Sequence, residues 1–135
     1  MRILVAEDDA ECRRILYLFL APLGDCDAVE DGKLAVECVR RSLSQGAPYD
    51  LICLDIIMPN MDGHQTLKEI RALEAKQGLA PESRAKIIMI TAMGDSGNVL
   101  GAIQESCNAY VVKPVDKAQL YQEIFNLGLA SDSKR

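Results

Sequence analysis

Short apolar runs alternate with segments of helical spacing along the whole chain. The runs have the length of buried strands and lie at 3–6, 51–54, 87–90 and 109–112, with a weaker candidate at 26–29. Between them, apolar residues recur every three or four positions, as on the buried face of a helix. A strand followed by a helix, repeated five times, builds a parallel sheet covered on both faces. The pattern therefore predicts one α/β domain of the (βα)5 type.

Local signals predict where several helices begin and end. The first helix is expected to stop at Pro22-Leu23-Gly24, and the second to begin at Asp31-Gly32 and dissolve in the polar stretch 41–48. The fourth, over 95–105, contains two glycines, each of which costs about 1 kcal/mol relative to alanine, so it is predicted to be the least stable. Asp116-x-x-Gln119 resembles a capping box for the last helix.

Length and charge restrict the class of protein. The chain has 135 residues, 49% of them hydrophobic, which fits one ordinary core and leaves no room for a second domain. The net charge is −5, without a basic cluster interleaved with aromatics, so direct nucleic-acid binding is not expected. No apolar run approaches the roughly 20 residues that span a bilayer, and no signal-peptide pattern follows Met1. We expect a cytoplasmic protein with a domain over 1–129 and a flexible C-terminal tail over 130–135.

The cysteines and the single histidine do not form a metal-binding pattern. The cysteines are odd in number, lack a C-x-x-C pair and sit mostly in apolar patterns, so they are predicted to be reduced core residues. They are Cys12, Cys26, Cys38, Cys53 and Cys107. His64 follows a turn sequence without a second histidine or a cysteine at ligand spacing, and is predicted to be a solvated loop residue rather than a zinc ligand.

Polar groups follow four of the predicted strands at the point where each ends. They are Glu7-Asp8-Asp9, Asp55, Thr91 and Lys113-Pro114. Because the carboxyl ends of parallel strands meet at one edge of a sheet, where open sheets bind ligands, these groups are expected to lie together. Each alone would be unremarkable: an acid that caps a helix, a strand threonine, a surface lysine. Acids, a hydroxyl and an amine together indicate a phosphoryl-transfer site.

The acidic residues divide into two predicted roles. Asp9 is nearest to the first helix and is expected to cap it, which leaves Glu7 and Asp8 facing the cleft. Two acids beside Asp55 repel one another, so the site needs a cation. Carboxylate oxygens with open water positions suit Mg²⁺, with Asp8 and Asp55 as direct ligands and Glu7 acting through water. Lys113 is expected to pair with Asp55 and then with phosphate, as a point charge.

This constellation, together with the repeated βα pattern, resembles the receiver domain of two-component response regulators. The resemblance covers nearly the whole chain, and its motifs occur in order at 3–9, Asp31-Gly32, 54–63, Thr91-Ala92 and 110–114. It implies a flavodoxin-like doubly wound parallel sheet with the strand order 2-1-3-4-5.

The resemblance also implies a role for each site residue. Asp55 would be the phosphoacceptor, and Glu7 and Asp8 the acidic pair that holds Mg²⁺ together with Asp55 and the backbone carbonyl of Ile57. The donor would be a sensor histidine kinase or a histidine phosphotransfer protein. The domain would catalyse only its own Mg²⁺-dependent phosphorylation and dephosphorylation.

The resemblance also implies residues that would bind the phosphoryl group and residues that would change conformation when it is present. Thr91 and Lys113 would bind phosphoryl oxygens, and Thr91 would form a switch with Tyr110. The switch would alter the face made by the predicted fourth helix, the fifth strand and the last helix, where a downstream protein binds. The other interpretation of Tyr110 is a half-buried strand tyrosine with its hydroxyl in water.

Three positions depart from the common pattern or vary within it. Ser106 stands where many receivers have a glycine at the end of the fourth helix, which affects that turn and not the chemistry. Ile57 and Met93 flank the phosphoryl site, and both are apolar. Because apolar side chains do not orient a water molecule by hydrogen bonding, we expect the phosphorylated form to hydrolyse slowly.

Other functions fit the sequence less well. A phosphatase with an aspartate nucleophile usually has a second acid two residues later, where this chain has Ile57. A flavin carrier needs a Ser/Thr-rich phosphate loop after the first strand, and Glu7-Asp8-Asp9 would repel that phosphate. We expect a stand-alone regulator. Two alternatives stay open: a receiver domain excised from a hybrid histidine kinase, and a docking module that is never phosphorylated.

Overall fold

Five strands form one parallel sheet in the part of the chain that the structure describes. A computed structural model describes residues 1–92 and 107–129. The strands are β1 (Arg2–Ala6), β2 (Asp25–Val29), β3 (Leu51–Asp55), β4 (Lys86–Thr91) and β5 (Ala109–Val112). They pair in parallel in the order β2-β1-β3-β4-β5. The predicted strand order of a flavodoxin-like fold is therefore confirmed.

The described helices cover both faces of the sheet. The described α-helices are α1 (Ala10–Leu20), α2 (Gly32–Ser44), α3 (Gly63–Lys76) and the C-terminal helix (Lys117–Asn126). Short 3₁₀ turns lie at Ala21–Leu23 and Pro81–Ser83. The predicted helix over 95–105 lies outside the described residues, as do Met93, Ser106 and the predicted tail over 130–135. No helix in the described part of the chain is long and apolar enough to cross a membrane.

Alternate residues of the strands contribute to two apolar layers. Ile52 and Leu54 of β3 pack with α2 and α3, whereas Leu51 and Cys53 pack with α1 and the C-terminal helix. Every residue of β3 is buried, as expected for a central parallel strand covered on both faces. The strands are packed on both faces, and this packing positions the groups at their carboxyl ends.

The second helix is longer than the sequence predicted. α2 continues to Ser44, although the polar stretch that begins at Arg41 was expected to end it. Ser42 is buried and its hydroxyl donates to the carbonyl of Val39 at 2.9 Å, while Leu43 packs against the core. The helix ends before Gly46, which has a φ of 70°. The polar residues of this stretch are therefore the outer face of a helix that still has buried positions.

Two further predictions need correction. Cys53 is fully buried, but the other four cysteines are only partly buried; all five are free. His64 is partly buried in the first turn of α3 and is not a loop residue. Asp62 caps this helix by accepting a hydrogen bond from the N–H of Gln65 at 2.9 Å, so the helix begins inside the stretch that resembled a turn.

Candidate functional site

The sheet places four of the predicted site residues at one edge. Glu7 follows β1, Asp55 ends β3, Thr91 ends β4 and Lys113 follows β5. Backbone hydrogen bonds continue past the strands: the N–H of Glu7 donates to the carbonyl of Val29 at 3.0 Å, and that of Lys113 donates to the carbonyl of Thr91 at 2.7 Å. The backbone of these residues is therefore fixed by the sheet itself.

Lys113 bridges the two buried acids. Its Nζ lies 2.9 Å from Oε1 of Glu7 and 3.4 Å from Oδ2 of Asp55. Glu7 is fully buried, and its other oxygen, Oε2, accepts a hydrogen bond from the N–H of Asp9 at 3.1 Å. The expected pairing of Lys113 with Asp55 is present, and the shorter contact is with Glu7.

Burial and charge shift the pKa values of these groups. Burial, followed by the neighbouring Glu7 carboxylate, raises the pKa of Asp55 from 3.8 to about 8, and Lys113 opposes this shift. Burial acts to lower the pKa of Lys113, but its hydrogen bond to Glu7 and the charge of Asp55 outweigh it, so the pKa of Lys113 is raised. Lys113 therefore stays protonated at neutral pH. The raised pKa of Asp55 indicates that this one ammonium group does not fully offset the cost of charging both buried acids.

Three carboxylates converge at a position suited to a hard cation. Glu7, Asp8 and Asp55 each offer an oxygen, and these oxygens lie within 4.8 Å of one another. Asp8 is exposed, whereas the other two acids are buried. Oxygen donors that are partly open to water are the ligands that Mg²⁺ prefers. Lys113 bridges two of the three acids, and its single positive charge cannot balance three carboxylates. The set of oxygen donors therefore fits a divalent ion.

The loop between β1 and α1 is held by contacts from the helix. Asp9 caps α1 by accepting a hydrogen bond from the N–H of Glu11 at 3.0 Å, which confirms its predicted role. Arg13 reaches back from the second turn, and its Nη1 donates to the carbonyl oxygens of Glu7 at 2.9 Å and Asp8 at 3.4 Å. The contact of Arg13 was not predicted; the only sequence signal for it is a cation one helical turn after the acidic run.

The loop after β3 is tied to the loop after β2. Asn60 has a φ of 70°, and its Nδ2 donates to Oδ2 of Asp31, the residue that caps α2, at 3.1 Å. A Cβ on Gly63 would lie 2.6 Å from the carbonyl oxygen of Asp55, so only glycine fits there. The sequence analysis identified the motifs at Asp31-Gly32 and 54–63, but it did not predict that they are in contact.

The remaining predicted residues differ in their exposure. Thr91 is buried, and its hydroxyl lies 3.4 Å from the carbonyl oxygen of Ala92. Ile57, two residues after the end of β3, is 61% exposed, so its side chain is available to solvent and partners. Tyr110 of β5 is 41% exposed.

A family model identifies the class of protein to which this fold and site belong. The model of the response regulator receiver domain matches residues 3–125. The chain therefore belongs to the response regulator receiver domain family. Receiver domains are signalling domains of two-component systems, and the predicted resemblance is confirmed.

Individual relatives agree with this assignment. The chain is 33% identical to the transcriptional regulatory protein ResD of Bacillus subtilis over 113 residues, covering 84% of this chain and 42% of ResD. It is 32% identical to the chemotaxis protein CheY of Bacillus subtilis over 123 residues, covering 91% of this chain and 93% of CheY. Thus the chain spans less than half of ResD and nearly all of CheY.

A solved structure is similar along almost the whole chain. It is the receiver domain of the histidine kinase CKI1 from Arabidopsis thaliana, complexed with Mg²⁺ and BeF₃⁻. The TM-score is 0.79 at 28% sequence identity, and the match covers 96% of this chain and 90% of the other.

Replacing Asp55 by asparagine is expected to stabilise the metal-free protein by roughly 1–3 kcal/mol near pH 8, because it removes a carboxylate whose charge is disfavoured by burial and then by Glu7. The raised pKa means that folded wild-type protein keeps a proton that the unfolded chain releases. Its stability therefore falls as the pH rises from 3.8 to about 8. Since the variant lacks this dependence, the difference in the free energy of unfolding should grow across that range. Urea unfolding at several pH values without Mg²⁺ measures it.

The matched control for this experiment is Asp25→Asn, the same chemical change at an exposed position of β2. Its free energy of unfolding should stay within about 0.5 kcal/mol of the wild type. If Asp55→Asn were no more stable than the wild type near pH 8, the account in which burial and Glu7 disfavour the charge of Asp55 would be wrong.

Proposed function

We propose that this receiver domain accepts a phosphoryl group on Asp55 from a sensor histidine kinase or a histidine phosphotransfer protein, as a step of a cytoplasmic phosphorelay. The observation that carries the proposal is the arrangement around Asp55. Its buried carboxylate lies between a lysine ammonium at 3.4 Å and two further acids whose oxygens converge with its own. A nucleophile, a cation for phosphate and a divalent-ion site are the parts that phosphoryl transfer needs.

The transfer requires one bond to form and one to break. An oxygen of Asp55 attacks the phosphorus of the donor phosphohistidine and forms an acyl phosphate. The P–N bond breaks, and its electron pair leaves with the imidazole of the donor. Lys113 holds a positive charge beside the attacked group, and the buried hydroxyl of Thr91 is assigned as a donor to a phosphoryl oxygen.

The existing contacts of each carboxylate oxygen decide how each acidic residue is assigned to the metal. Both oxygens of Glu7 already have partners, Lys113 and the N–H of Asp9, so Glu7 is assigned to act through water. Asp8, Asp55 and the backbone carbonyl of Ile57 would bind directly. When bound, Mg²⁺ would neutralise charge on the transferring phosphoryl group.

The signal is proposed to leave the domain by contact with a downstream protein. An inward movement of the Thr91 hydroxyl toward phosphate would leave space for Tyr110, whose side chain is 41% exposed in this structure. This change would alter the face that includes β5 and the C-terminal helix. Phosphorylation shifts the equilibrium only by the difference in its interactions with the two conformations.

Incubation with acetyl phosphate tests the proposal directly. We expect intact mass spectrometry to detect one labile phosphoryl group on the wild type, only when Mg²⁺ is present. Asp55→Asn should take up none, and the matched variant Asp25→Asn should behave like the wild type. If wild-type protein gave no adduct and also bound no beryllofluoride, Asp55 would not be a phosphoacceptor and the domain would act by docking alone.

The side chain of Ile57 is expected to lengthen the life of the acyl phosphate. It is 61% exposed beside the site and offers no hydrogen bond to an attacking water. We predict that Ile57→Asn shortens the lifetime severalfold, because an amide orients water, whereas Ile57→Leu leaves it unchanged. Loss of the phosphoryl group over time, followed by mass, gives both values. A lifetime for Ile57→Asn equal to or longer than that of the wild type would contradict the role of this residue.

A further inference from the structure

Arg13 contacts the acidic loop at two successive peptide groups. Its Nη1 donates to the carbonyl oxygen of Glu7 at 2.9 Å and to that of Asp8 at 3.4 Å. The side chain is partly buried and comes from the same helix that Asp9 caps. The loop is thus fixed at both ends: by the sheet at Glu7 and by α1 at Asp9, with Arg13 against the carbonyls between them.

We propose that Arg13 is a positioning residue for the metal site. By binding the carbonyls of Glu7 and Asp8, it sets the two peptide planes from which their carboxylates project toward Asp55. The need for such a contact follows from charge: three carboxylates whose oxygens lie within 4.8 Å of one another repel, and an unrestrained loop would turn Asp8, the exposed one, into solvent. The inference rests on the function proposed above and deepens it.

Guanidinium chemistry suits this role better than a simple charge would. Arginine presents several N–H donors in a rigid plane, so little freedom is lost when it binds neighbouring acceptors. A lysine ammonium at this position would be a single flexible donor group, and a neutral side chain would leave both carbonyls to water.

A purely electrostatic role for Arg13 predicts the opposite effect on metal binding. A positive charge near an acidic site competes with a cation, so removing the charge would tighten Mg²⁺ binding. Removing a residue that positions the ligands would weaken it. Arg14 supplies the matched control, because it is the next residue of α1, carries the same charge and is exposed.

The experiment compares Arg13→Met, Arg13→Lys and Arg14→Met with the wild type in the full chain. Isothermal calorimetry measures Mg²⁺ affinity, and circular dichroism confirms folding. We expect Arg13→Met to weaken Mg²⁺ binding about tenfold, Arg13→Lys to weaken it less, and Arg14→Met to change it by no more than about twofold. The rate of phosphorylation by acetyl phosphate should need more Mg²⁺ in Arg13→Met and still reach the wild-type maximum.

Unchanged or tighter Mg²⁺ binding in Arg13→Met would overturn the proposal, and so would equal weakening in Arg14→Met. If Arg13→Met does not fold, Arg13→Lys decides, because it keeps the charge; wild-type affinity in that variant would also overturn the proposal. Failure of the proposed function has a separate signature. In that case the wild type itself takes up no phosphoryl group, whereas calorimetry still reports whether Arg13 supports metal binding.

Discussion

The ion pairs of Lys113 with Glu7 and Asp55 are the interaction on which the site depends. Both acids are buried, and a buried charge that loses its partner costs about 3–5 kcal/mol. Lys113, which follows β5, supplies this partner: its Nζ lies 2.9 Å from Oε1 of Glu7, after β1, and 3.4 Å from Oδ2 of Asp55, at the end of β3. The strand order makes this possible, because β5 lies beside β4 and the carboxyl ends of all these strands share one edge. One lysine against three converging carboxyl groups is the basis on which a divalent-cation site is proposed here.

The loops around this edge need as much support as the charges do. A Cβ on Gly32 would lie 2.5 Å from the carbonyl oxygen of Met61, so α2 begins in close contact with the loop after β3. Asn60 and Asp31 join the same two loops through a hydrogen bond. Together these contacts join the start of α2 to the loop that follows β3. On the other side, Arg13 contacts the carbonyls of Glu7 and Asp8, so the loop after β1 is held from α1 and the loop after β3 from the start of α2.

The sequence predicted the parts of this site that are defined by where strands end. β3 and β4 are apolar on both faces, so their ends, and hence Asp55 and Thr91, could be located by pattern alone. Contacts between loops, such as that of Asn60 with Asp31, have no periodicity and could not be predicted. The length of α2 was missed because its last buried position is a serine, followed by a partly buried leucine, within a polar stretch. The roles of the site residues in phosphoryl transfer stay predictions.

The most direct test of the account is a crystal structure of the protein with Mg²⁺ and beryllofluoride. It should contain beryllofluoride on an oxygen of Asp55, with the hydroxyl of Thr91 and Nζ of Lys113 bound to its fluorides. The metal should be held by Asp8, Asp55 and the carbonyl of Ile57, with Glu7 reaching it through water. An unmodified Asp55, or a metal bound only by exposed acids elsewhere, would contradict the claim that these buried charges form a phosphoacceptor site.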